Sequence, residues 1–223
     1  MDTHSADSSL DSDGGVSSTS AHRDYLGSPD TTGMTARAAA KAERRVELLR
    51  CAADIMARKG FHQMRLEDLG EAVGISGPAV YRHFSSKEEI LTELMTGISE
   101  HLLQQARLIV DGIGDARERL IVLIDFHVDF ALSRPELIRL HNRELFRMGE
   151  QGRGRVRAAQ GEYLKMFATS LAQFDPKYRG RAGRVTAQLV LGLINSSELT
   201  RGWAPPALQR RAATMAARAA VGV

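Results

Sequence analysis

An all-α fold follows from three observations. From residue 115 onward, apolar residues recur at intervals of three and four and do not alternate as a strand requires. Pro135, Pro176, Pro205 and Pro206 fall at the starts of such segments, where a missing N–H has no partner to lose. Residues 60–91, GFHQMRLEDLGEAVGISGPAVYRHFSSKEEIL, spell a short helix, a tight turn and a second short helix.

Residues 1–35 carry one basic and six acidic residues among Ser, Thr and Gly, and bury too little apolar surface to offset the entropy of ordering. A disordered tail is expected, and Met34 is an alternative start for the chain. A first helix over about 37–59 sets Val46, Leu49, Ala53 and Met56 in one stripe. A second, 66–73, repeats Leu66, Leu69, Ala72 and Val73, with Glu67 and Asp68 in the first turn where the helix dipole favours acids. Gly74 suits the left-handed end of that helix, and Ser76 is placed to cap the next.

The third helix, 77–84, points Val80 and Phe84 inward and leaves Pro78, Ala79, Tyr81, Arg82 and His83 on its outer arc. A small, aromatic and basic face suits a DNA groove: alanine or proline can touch a thymine methyl, and Arg and His reach base edges or phosphates. SSKEE, 85–89, holds a reciprocal capping pattern that starts a fourth helix of about 87–110. Lys87 then sits at the positive end of that helix, a misfit that a bound phosphate would relieve. Further helices are expected over 116–132, with Leu120, Leu123, Ile124, His127 and Ala131 on one face, and over 136–147, 153–173, 177–200 and 205–221.

Residues 41 to about 105 resemble the DNA-binding domain of the tetracycline-repressor-like (TetR) family of bacterial transcription regulators. GISGPAVYRHFSSKEEIL is similar almost position by position to that family's turn, recognition helix and start of the fourth helix, and KGF at 59–61 to the end of its first helix. The resemblance implies a three-helix helix-turn-helix domain over 36–86 and a helical effector-binding and dimerisation domain over 87–223. In it the fourth helix transmits ligand state to the head. The helices near 177–200 and 205–221, including LVLGLINSSELTRGW, would form a four-helix interface with a second copy.

The same resemblance places Ser76, Gly77, Pro78, Ala79, Tyr81, Arg82 and His83 on recognition-helix positions. Tyr81 and Lys87, with Arg44 and Arg45 of the first helix, fall on positions that hold phosphates. The sequence departs from the family in three ways. Gly77 and Ala79 stand where longer polar residues are common, so base readout rests on fewer side chains. Arg65 replaces a small capping hydroxyl residue and is taken as an added phosphate contact. Gly70 replaces alanine at about 1 kcal/mol of helix propensity, which a close helix crossing would offset.

The implied protein is a homodimeric, cytoplasmic regulator of transcription. It would be a repressor that binds double-stranded operator DNA and is released by a small-molecule effector. An activator or DNA binder without an effector remains open, as does a helical adaptor whose head no longer binds DNA.

The sequence pI is about 9.2, yet net charge runs −5 over residues 1–35, 0 over 36–105 and +8 over 106–223. DNA binding is therefore argued from placement: Arg37, Lys41, Arg44, Arg45, Arg65, Arg82 and Lys87 lie at helix ends and outer faces. The acidic tail is either inert or a weak competitor for that basic face. One cysteine, Cys51, excludes an internal disulfide. No apolar run approaches the roughly 20 residues of a membrane helix, so no membrane partner is expected.

Asp125, His127 and Asp129 look like metal ligands until they are set on a helix, where 127 points away from the other two. His127 is either a satisfied core residue or a polar group lining a ligand pocket. Arg139, Arg143 and Arg147 form a row that is either a solvated face or an anion-binding strip, the latter suiting an acyl-coenzyme A or another lipid-like anion. Phe126, Phe130, Tyr163 and Phe167 either line a pocket or form plain core. The candidate ligand set is thus Phe126, His127, Phe130, Arg143, Tyr163 and Phe167, with no cofactor or metal. No nucleophile-and-base arrangement, phosphate-cradling glycine loop or HExxH motif points to an enzyme.

Overall fold

The computed structural model describes residues 25–223, and the described chain is all-α. In order it runs α1 (Ala36–Lys59), α2 (Leu66–Val73), α3 (Gly77–Val80), α4 (Lys87–Gly112), α5 (Ala116–Ser133), α6 (Pro135–Glu144), α7 (Glu150–Phe174), α8 (Arg181–Asn195) and α9 (Pro206–Val221). Among the described residues no helix is long and apolar enough to cross a membrane.

Local chemistry accounts for most starts. Thr35, Ser86 and Asp115 accept from the backbone N–H of Ala38, Glu89 and Glu118 and so cap α1, α4 and α5. Pro135 and Pro206 each open a helix. Some expected helices are shorter. The segment expected over 177–200 becomes a 3-10 turn at Pro176–Tyr178, then α8, then a second 3-10 turn at Ser196–Thr200. Gly180, at φ 67°, separates the first two. The segment expected over 136–147 divides into α6 and a 3-10 turn at Leu145–Arg147.

Two apolar cores organise these helices. The first joins α1, α2, α3 and the first half of α4, centred on the fully buried Leu48, Leu69, Phe84, Leu91 and Leu94. The second joins the end of α4 to α5, α7, α8 and α9 around Leu123, Phe167, Leu171 and Ile194. Short α6 enters both: Leu137 and Leu140 belong to the first core and Ile138 to the second. α5 and α9 are further tied by Asp125 to Arg218 and Asp129 to Arg210. The two aspartates share a face and His127 lies opposite, as the helical spacing requires.

The expected tail needs a correction within the described residues. Residues 1–24 lie outside them, but Tyr25 is buried in the first core. The Arg134 guanidinium stacks 4.7 Å from its ring centroid while reaching Asp54 of α1 at 3.4 Å, and Arg50 donates to the Gly27 carbonyl. One aromatic ring with a cationic lid orders this stretch, a long-range contact that composition cannot register.

Candidate nucleic-acid interface and ligand cavity

The turn between α2 and α3 depends on two glycines. Gly74 takes the left-handed conformation at φ 70°. Gly70 is buried where a Cβ would stand 2.7 Å from the Ile75 carbonyl oxygen, and its own carbonyl accepts from the Ile75 N–H at 2.9 Å. The close crossing expected at Gly70 is therefore an approach of the turn onto its own first helix.

α3 makes one helical turn, shorter than the expected 77–84. The chain continues through Tyr81–His83 as turns, with His83 N–H donating to Val80 O at 2.8 Å and Phe84 N–H to the same carbonyl at 3.0 Å. Val80 and Phe84 are fully buried, each burial being worth about 2 kcal/mol. Ala79 corrects the expectation: it is buried too, so it lies off the outer arc. Ser76, Pro78, Tyr81 and Arg82 are exposed, with Gly77 and His83 half-buried beside them. Ser76 makes no side-chain cap bond, contrary to its expected role.

The cations divide into free and committed. Arg82 and Arg65 are exposed. Arg44 pairs with Glu47 on the same helix at 2.6 Å and stays partly exposed. Arg45 differs from the expected phosphate contact. Its guanidinium binds Glu93 and Glu89 of α4, donates to the His83 carbonyl and lies 4.0 Å from the Phe84 ring centroid. Lys87 likewise finds a partner inside the protein, donating to the His62 carbonyl at 3.1 Å beside the Phe61 ring. No side chain replaces the missing hydroxyl cap, but the Asp68 carboxylate accepts from the Arg65 backbone N–H at 3.3 Å and so closes the same helix end from the other side. Burial, and then the charges of Lys41, Arg45, Arg82 and Arg44, hold the His83 pKa below the ordinary histidine value. Cations from α1 and from the turn thus converge on one surface.

In the helical domain a cavity of about 250 Å³ lies between α4, α5, α6, α7 and α8. Three of the six candidate ligand residues, His127, Phe130 and Tyr163, line it. The other three do not. Phe167 sits behind the wall, 5.3 Å from the Tyr163 ring; Phe126 packs into the second core; Arg143 is exposed outside. Both readings of His127 hold together: it lines the cavity and is satisfied, 3.0 Å from the Tyr163 hydroxyl and 3.1 Å from Asn195 Oδ1. Burial lowers its pKa to about 4 and raises that of Tyr163.

Sequence reading missed the remaining polar lining, Ser99, His141, Asn142, Gln160, Gln188 and Asn195. The signal was present in Gln160, one turn before Tyr163, and in Asn195, one turn beyond Leu191: amides on stripes otherwise apolar. The arginine row is largely paired, Arg139 with Glu198 and Arg147 with Glu144. No metal-binding cluster of His, Cys, Asp and Glu occurs among the described residues.

The outer face of α8 and α9 exposes Val185, Leu189 and Leu193 four residues apart, together with Leu208, Met215 and, in the connection, Trp203 at 80%. Exposed apolar side chains in such number on two neighbouring helices are what an interaction surface presents.

Residues 48–94 match the family described as bacterial regulatory proteins, tetR family. The nucleoid occlusion factor SlmA of Shewanella woodyi is 33% identical over 147 residues, 66% of this chain and 73% of that one. The HTH-type transcriptional repressor KstR2 of Mycobacterium tuberculosis is 39% identical over 77 residues, 34% of this chain and 38% of that one. In fold the chain is similar to a TetR-family transcriptional regulator from Bordetella parapertussis, with a TM-score of 0.67 at 21% identity over 78% of this chain and 93% of that one. Head, turn, helical domain and these likenesses agree, and the chain belongs to the TetR family of DNA-binding bacterial transcriptional regulators.

Proposed function

We propose that the protein is a homodimeric repressor that binds a palindromic operator through two heads and is released by a small molecule in the helical-domain cavity. The observation that carries this reading is the convergence of exposed Tyr81 and Arg82 with Arg44 and Lys41 around the recognition turn, on a head whose core is otherwise closed. Ser76, Gly77, Pro78 and His83 complete the contact surface, with Arg65 reaching the flanking backbone. The apolar α8 and α9 face supplies the dimer contact, which sets the two heads at a fixed spacing. A ligand that favours a spacing unsuited to successive major grooves lowers operator affinity by its difference in binding energy between the two states. The named repressor among its relatives supports the sign of regulation.

The likeness to a nucleoid occlusion factor favours a second reading, a DNA binder that acts without an effector. Titration of DNA from upstream of its own gene at fixed salt, with and without cavity ligands, separates them. A specific shift reversed by ligand supports the first reading; a specific shift indifferent to every ligand that demonstrably binds the protein supports the second. No sequence-selective shift on this DNA or in a random-site selection would defeat both.

A further inference from the structure

The cavity's lining contains no Lys, Arg, Asp or Glu. A carboxylate or ammonium entering it would leave water without a counter-charge. Its polar groups instead form two hydrogen-bonded clusters one turn apart along α7. In the first, Asn195 Oδ1 can only accept, so His127 Nε2 carries the proton and His127 Nδ1 accepts from the Tyr163 hydroxyl. The Asn195 amide N–H groups and a Tyr163 oxygen lone pair are left over. In the second, Gln160 Nε2 donates to His141 Nε2 at 2.7 Å, leaving the Gln160 carbonyl oxygen as an acceptor. Leu102, Phe130, Leu137, Ile138 and Leu191 supply apolar walls between and around them. At protein-like packing density about 250 Å³ holds about ten to fourteen non-hydrogen atoms.

We propose that this cavity binds an uncharged, mostly apolar molecule of that size bearing an alcohol or carbonyl oxygen, which accepts from Asn195 and, if an alcohol, donates to Gln160. The ligand is thus neutral, unlike the lipid-like anion that the arginine row suggested. The inference rests on the effector-release reading only for its regulatory meaning; binding itself is a separate observable.

The test is equilibrium binding of the full chain to a ten-carbon series: 1-decanol, 2-decanone, sodium decanoate, decylamine and decanoyl-coenzyme A. The neutral pair should bind at least about tenfold more tightly than any charged member. Asn195→Leu should remove most of the affinity for 2-decanone; if circular dichroism shows that variant unfolded, Gln160→Leu replaces it, with 1-decanol as the ligand. A charged member binding as tightly as the neutral pair, a preference unchanged in a folded variant, or no member binding below about 1 mM overturns the proposal. Operator release is read separately. Neutral binding without release refutes effector release and leaves the ligand class standing, whereas release by decanoyl-coenzyme A does the reverse.

Discussion

Arg45 of α1 and Glu93 of α4, 48 residues apart, are joined by a forked ion pair, with Nε at 2.9 and 3.0 Å from the two carboxylate oxygens. Glu89 accepts from the same guanidinium at 2.8 Å. The planar group also covers Phe84 and accepts the role of donor to the His83 carbonyl, so it fixes the recognition turn to the connecting helix. Arg45→Ala should cost about 2 kcal/mol in chemical denaturation, because it strands the half-buried Glu93 carboxylate, leaves Glu89 only its bonds from Ser85 and uncovers the Phe84 ring. Arg45→Lys should recover less than half, since an ammonium cannot reproduce the fork. A loss within experimental error of zero would reduce the pair to surface decoration.

Arg82 and Tyr81 carry the opposite expectation. Both are exposed, so Arg82→Ala should leave the thermal midpoint unchanged while weakening operator binding about tenfold and lowering the salt slope by about one. Tyr81→Phe should weaken binding to a smaller extent by removing one phosphate hydrogen bond. Filter binding across a salt series reads both, and wild-type affinity in the two variants would move the contact surface elsewhere.

Gly70→Ala sets two effects against each other. Alanine gains about 1 kcal/mol of helix propensity, but its Cβ would press on a backbone oxygen at 2.7 Å, an overpacking cost of about 1–3 kcal/mol. The clash involves backbone and cannot be relieved by a rotamer change, so net destabilisation of the head is expected. A stabilised variant would show that the turn has room to retreat.

Leu189 is 67% exposed between Val185 and Leu193 on α8. Leu189→Glu should shift the protein from dimer to monomer in sedimentation velocity at micromolar concentration and reduce operator affinity with it. A dimer that survives would place the contact on another face.

His127 gives a pH dependence whose sign is fixed. Its folded pKa, about 4, lies below the ordinary 6.5, so between these values the unfolded chain binds the extra proton. Stability from this residue is complete above pH 6.5 and falls by about 3 kcal/mol as pH drops to 4. The slope over that window should be shallower by a comparable amount in His127→Gln, measured as the difference between variant and wild type so that common carboxylate titrations cancel.

Much of this architecture was legible in the sequence because its causes are local. Ser86 as a cap, Pro135 and Pro206 as openers, and the spacing of Leu66, Leu69 and Val73 act within one or two turns, and each lies where expected. What escaped depends on phase and distance. Whether Arg44 or Arg45 turns inward is decided by 100° of helix rotation and by two glutamates on another helix. Ala72 is exposed and Ala79 buried for the same reason: small residues shift the hydrophobic stripe too little to fix its edge. The cavity's polar set is drawn from α4, α5, α6, α7 and α8, and no single segment's pattern announces it.

α6 sends Leu137 and Leu140 into the head's core and Ile138 into that of the ligand domain, and Ile138, His141 and Asn142 also face the cavity. This ten-residue rod thus has side chains seated in both cores. Ile138 and Leu137, which both line the cavity, ride on one backbone, and Arg134 at its start pairs with Asp54 of α1. Under the proposed effector release, a stiffer or looser α6 should change how strongly a bound ligand weakens operator binding without altering a single residue that meets DNA.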